Sequence, residues 1–138
     1  LSVLILKNTI TEGPGTIEDF LNKEAMPFSI VELGRGEIPP PLERFDTLVV
    51  MGGPMGVYEM DKYPHLMIGS HIIREAINRN MRILGICLGA QLIVYCLGAE
   101  VYKGHEEETG WRSIELTGDG LKDPLMRKLA VHPQVGDF

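Results

Sequence analysis

The chain is short of cysteine: among its 138 residues only Cys87 and Cys96 carry thiols. Two thiols make neither a disulfide framework nor a four-ligand zinc site, and no metal is expected. An excess of positive charge is also lacking. Lys+Arg number 13 against 19 Asp+Glu, a formal net charge of −6 with histidine neutral. Nucleic-acid binders normally present a basic surface, so that class is excluded. No apolar run reaches the roughly 18 residues of a membrane helix, and no charged-then-apolar leader points to secretion. Internal repeats, low-complexity tracts and linkers are absent. The chain opens at Leu1 without methionine, so a trimmed start is expected. What is present, 44% hydrophobic and 23% charged residues, is the profile of a single globular domain with a real core.

Short continuous apolar runs at residues 3–6, 28–33, 47–51 and 82–86 read as strands, most of them buried on both faces. Between them, Thr16 is expected to cap a short helix carrying Ile17, Phe20 and Leu21 on one face. Residues 65–80 form a second helix, with Leu66, Ile72, Ile73, Ala76 and Ile77 at three- and four-residue steps. A third helix runs from about 89 to 97. The prolines at 39, 40 and 41 break regular structure across residues 38–42. Residues 100–102 and 112–116 look like late or edge strands, and 121–129 like a short helix. This order predicts an α/β fold: an open, mostly parallel sheet with helices on both faces. Such sheets bind ligands beyond the C-terminal ends of their strands, where the Gly-rich turns after Met51 and Ile86 both lie.

Gly85-Ile86-Cys87-Leu88-Gly89 is a G-x-C-x-G turn between strand and helix, the nucleophile-elbow pattern with cysteine in place of serine. A sharp turn of this kind strains the backbone at Cys87. Side chains at 85 and 89 would collide with neighbouring elements, so both are glycine. The positive end of the following helix is a favourable place for a thiolate, and the Leu88 N–H can bind an oxyanion. The plainer reading makes Cys87 a small buried hydrophobe; Cys96, among apolar neighbours on the same helix, is read that way. Gly52-Gly53-Pro54-Met55-Gly56 lacks the spacing of a phosphate loop. It is either a plain tight turn or, beside a cysteine elbow, the source of a second oxyanion donor at Gly53. Gln91, one helical turn after Cys87, can hydrogen-bond a substrate over the sulfur, or be an ordinary surface glutamine.

The run from Gly85 to Leu92 resembles the nucleophile motif of class I glutamine amidotransferases. The turn from Met51 to Gly56 looks like the oxyanion strand of that family, and Glu108-Thr109-Gly110-Trp111 resembles a stretch of members related to the glutaminase domain of GMP synthase. The resemblance runs from Val3 to Phe138. It implies a flavodoxin-like fold and a glutaminase mechanism, in which a cysteine thiolate attacks the glutamine side-chain amide, ammonia leaves, and a γ-glutamyl thioester is hydrolysed to glutamate. It makes Cys87 the nucleophile and Gly53 and Leu88 the oxyanion donors. Gln91, Glu108, Gly110 and Trp111 become substrate-binding residues. L-Glutamine is the implied substrate and an ammonia-accepting synthase, as a domain or a separate chain, the implied partner, with no cofactor on this domain, no nucleic acid and no membrane. A reactive thiol without a disulfide suits a reducing cytoplasm.

The family also uses a late His-x-Glu pair as base and orienter. His132-Pro133-Gln134 has its shape, but with Gln for Glu and only 45 residues past Cys87; His132 is read as a loop histidine. His105, beside three glutamates, is read as solvated, and His65 and His71 as helix residues without an acidic partner. Residues 1–138 are therefore expected to be one incomplete amidotransferase domain, its C-terminal part missing and nearly inert alone. Its exposed sheet surface would invite pairing with another chain, as in a homo-oligomer. The alternatives are a γ-glutamyl peptide hydrolase of the same family, an inactive glutamine-binding or interaction module, and a member of the DJ-1/PfpI group, which shares the fold and the elbow.

Overall fold

The apolar runs become parallel strands because alternate residues find cover on opposite faces. The structure, a computed structural model, describes residues 1–105, 110–111 and 113–130. They fall into two compact units, residues 1–103 and 104–138. In the first unit, β1 (Val3–Lys7), β2 (Phe28–Glu32), β3 (Thr47–Val50) and β4 (Arg82–Gly85) form one parallel sheet in the order β2-β1-β3-β4. The register sets Val3 opposite Phe28 and Thr47, and Thr47 opposite Arg82. Leu4, Leu6, Leu48 and Val50 face one side. There they pack on α2 (His65–Asn78) and α3 (Leu88–Cys96) through Leu66, Ile73, Ala76, Leu88 and Leu92. Val3, Ile5, Val49 and Met51 face the other side and meet Leu21 and Ile17 of α1 (Thr16–Lys23). Two layers of helix thus sandwich the sheet, as the sequence pattern predicts.

Several local expectations are corrected. The cap of α1 is Gly15, at φ 53°, and not Thr16, which is the first helical residue; no side chain caps the helix. Phe20, expected on its apolar face, is exposed. The prolines lie outside any element, but Leu42 opens a 3-10 turn, Leu42–Arg44. β4 is not buried on both faces: among the described residues it is an edge strand, as β2 is, with Arg82 and Leu84 exposed. Residues 100–102 and 113–116 form no strand, and Arg112 lies outside the described residues. In the second unit α4 (Pro124–Ala130) starts later than expected. Pro124 sits at its first position, where a missing N–H costs nothing. The Asp123 carboxylate accepts hydrogen bonds from the N–H groups of Leu125 (2.8 Å) and Met126 (2.9 Å), which fixes that start.

The strand order reverses direction between β1 and β3. The chain leaves β1 toward β2 on one side and leaves β3 toward β4 on the other, so the two following loops part and leave a crevice at the C-terminal edge.

Candidate active site

Cys87 follows Ile86 in the turn between β4 and α3, at the N-cap of α3, and its backbone is strained as the elbow pattern demands. Its φ is +53° and ψ −114°, a left-handed region that side chains with a Cβ rarely enter, and its thiol is exposed. Neighbouring bonds hold this turn. The Ile86 N–H donates to the Val50 carbonyl at 2.9 Å, the Gly89 N–H to Ile86 at 2.9 Å, and the Gln91 N–H to Cys87 at 3.2 Å. The flanking glycines are required for space. A Cβ on Gly85 would come within 2.6 Å of the Ala90 nitrogen, and one on Gly89 within 2.0 Å of the Val50 carbonyl oxygen. α3 therefore crosses the end of β3 at backbone contact, and its N-terminus opens beside the sulfur.

The turn at residues 52–56 meets the elbow directly. A Cβ on Gly53 would lie 3.2 Å from Leu88 Cδ2, and one on Gly52 3.4 Å from Cys87 Cβ. Asn8, 2% exposed, donates from Nδ2 to the Met51 carbonyl at 2.7 Å and fixes where this turn leaves the sheet. Further on, the Gly56 N–H donates to Glu59 Oε2 at 2.9 Å, and that bond is the leading cause that holds the Glu59 carboxyl below its usual range. Among the described residues, the N–H groups of Gly53 and Leu88 donate to no protein acceptor. Two open donors beside one exposed thiol can stabilise an oxyanion formed on an acyl group held by that thiol.

The structure thus brings together Cys87, Gly53, Leu88 and Gln91, the last exposed one turn along α3. Gly110, with φ +108°, and Trp111 belong to the second unit; Glu108 and His132 lie outside the described residues. Cys96 is core: it is 9% exposed, its Sγ donates to the Ser70 carbonyl at 3.4 Å, and burial pushes its thiol up.

Sequence reasoning passed over two residues of this crevice. Asn8 anchors the oxyanion turn, and its signal is a polar residue directly after a fully buried strand. Glu12, in the loop after β1, places Oε2 within 2.7 Å of the point that a Gly52 Cβ would occupy, the same point that lies 3.4 Å from Cys87 Cβ. On the β1 side, a cavity of about 290 Å³ is lined in part by Asn8, Pro54, Tyr63 and His65. Burial holds the His65 imidazole below the usual histidine range. A larger cavity of about 400 Å³ lies by Asp46, Arg79 and Arg82, at the opposite end of the strands. There Arg79 pairs with Glu43 and Arg82 with Asp46, so its charges are already matched.

The family model for class-I glutamine amidotransferases matches residues 22–131. The chain belongs to the class-I glutamine amidotransferase family. It is 40% identical over 104 residues to the glutamine amidotransferase-like protein YfeJ of Salmonella typhimurium, covering 73% of this chain and 44% of that protein. It is 35% identical over 89 residues to one subunit of the glutamine-hydrolyzing GMP synthase of Sulfolobus acidocaldarius, covering 64% and 43%. A crystal structure of a glutamine amidotransferase from Thermotoga maritima superposes with a TM-score of 0.72 at 36% identity, covering 76% of this chain and 46% of that one. The chain spans less than half the length of each of these relatives. The open α/β sheet expected from the order of elements, and the flavodoxin-like amidotransferase fold that the resemblance implies, agree with the sheet observed and with this structural neighbour.

Proposed function

We propose that the chain carries the glutamine-hydrolysing chemistry of a class-I amidotransferase, with Cys87 as nucleophile. The observation that carries this reading is the exposed, strained thiol beside two N–H groups that donate to no acceptor among the described residues. The sulfur attacks the side-chain carbonyl carbon of glutamine, and the carbonyl oxygen becomes an oxyanion held by Gly53 and Leu88. The C–N bond then breaks, the nitrogen takes a proton and leaves as ammonia, and a γ-glutamyl thioester remains. Water attacks the thioester, releasing glutamate and restoring the thiol. The thiol proton must pass to a base. The family resemblance assigns that role to a histidine steadied by a glutamate; among the described residues no histidine hydrogen-bonds Cys87. Gln91 steadies the substrate from α3. The same resemblance gives Glu108, Gly110 and Trp111 a part in substrate binding.

The likeness to part of a GMP synthase supports a synthase, in the same chain or a separate one, as the acceptor of the ammonia. A reduced thiol nucleophile suits a reducing compartment such as the cytoplasm.

The test is affinity labelling with the chloromethyl ketone analogue of glutamine, read by intact mass and peptide mapping. One adduct on Cys87, none on Cys96, and none in Cys87→Ser is expected. Labelling of the parent no faster than by a chloromethyl ketone lacking the amino-acid end would refute the proposal.

A further inference from the structure

We infer that Glu12 receives the α-ammonium group of the substrate at the Cys87 site, an inference that rests on the function proposed above. Glu12 lies in the loop that follows β1, and Gly52 in the turn that follows β3. The strand order reverses between these two strands, so topology brings the loops to the same crevice. The bare α-carbon of Gly52 leaves room there: a Cβ would come within 2.7 Å of Glu12 Oε2 and 3.4 Å of Cys87 Cβ. The carboxylate and the nucleophile therefore border one small volume.

Glu12 is exposed, and among the described residues no cation pairs with it. An unpaired anion at this spot opposes the proposed chemistry, because both the thiolate and the oxyanion are negative and like charges repel at this range. The arrangement becomes favourable once a cation enters with the substrate. Glutamine brings one. Its α-ammonium lies four bonds from the side-chain amide carbon, about 5 Å away when the chain is extended. With the amide carbon at the sulfur, an ammonium at that reach can meet a carboxylate bordering the same volume. The pair neutralises Glu12 as the amide is positioned, so the site favours substrates with a free α-amino group over simple amides.

The experiment compares the full chain with Glu12→Gln and Glu12→Asp. Three alkylating agents are used: the chloromethyl ketone analogue of glutamine, its counterpart without the α-amino group, and iodoacetamide. In each case a carbon–sulfur bond forms at Cys87 and halide leaves. Glu12→Gln is expected to slow labelling by the amino-bearing ketone about 10- to 100-fold, with the other two reagents no slower than on the parent. Glu12→Asp is expected to restore part of the rate. Iodoacetamide reactivity no slower than the parent's reports an intact elbow, which separates this loss from misfolding. Equal rates for parent and Glu12→Gln with the amino-bearing ketone overturn the inference while leaving Cys87 as nucleophile. Equal slowing with all three reagents also overturns it, since Glu12 then acts on the thiol or the fold rather than on the ammonium. A parent that does not distinguish the amino-bearing ketone from its counterpart overturns this inference, whereas the function it rests on falls only if the ketone lacking the whole amino-acid end labels Cys87 as fast.

Discussion

Single residues in the crevice carry the chemistry through their surroundings. Cys87 is held at positive φ, a conformation that costs about 1–3 kcal/mol and persists only where the surroundings enforce it. Here the enforcement is backbone contact between α3 and the end of β3. His65, half-buried against the cavity beside Asn8, has a linked effect on stability. Burial depresses its folded pKa, partly offset by the Asn8 backbone. As pH falls below about 6.5, the unfolded chain takes up the proton first. The contribution of the neutral ring is therefore complete above that pH and is lost as pH drops toward the lower folded value. Urea melts at about pH 7.5 and 5.5 should show a larger loss of midpoint in the parent than in His65→Gln. An equal loss in both would place the acid sensitivity elsewhere.

Elements meet at the two glycines of the elbow. Gly89→Ala sets a methyl 2.0 Å from the Val50 carbonyl oxygen, a backbone clash that only a shift of α3 can relieve. A loss of about 3 kcal/mol is expected by urea denaturation, together with slower alkylation of Cys87; a variant as stable as the parent would contradict the packing described. The strands and helices of the first unit were legible in the sequence because continuous apolar runs and three- and four-residue periods have few other uses. The environment of β4 was not. Ile83 and Leu84 read like a buried strand, but burial depends on what lies beyond the strand, and here Leu84 is exposed at the sheet edge. Phe20 misled in the same way. The runs at 100–102 and 113–116 have strand-like residues without a partner strand among the described residues, and composition alone supplies no hydrogen bonds.

At the scale of the whole molecule, the sheet order decides which distant loops converge. The motif at Cys87 and the turn at residues 52–56 were legible because glycines at fixed offsets mark a tight turn. Glu12 was not, because an exposed glutamate in a loop has no pattern of its own; only the reversal between β1 and β3 puts it beside the nucleophile. Formation of an acyl-enzyme from glutamine in this crevice is read by acid-quenching the protein after incubation with L-glutamine and mapping its peptides by mass. A γ-glutamyl group on the peptide carrying Cys87, removed by hydroxylamine and absent from Cys87→Ser, is the result predicted. A γ-glutamyl group found elsewhere, or a Cys87 that stays unmodified after every incubation time and is also left unlabelled by the chloromethyl ketone analogue, would contradict it.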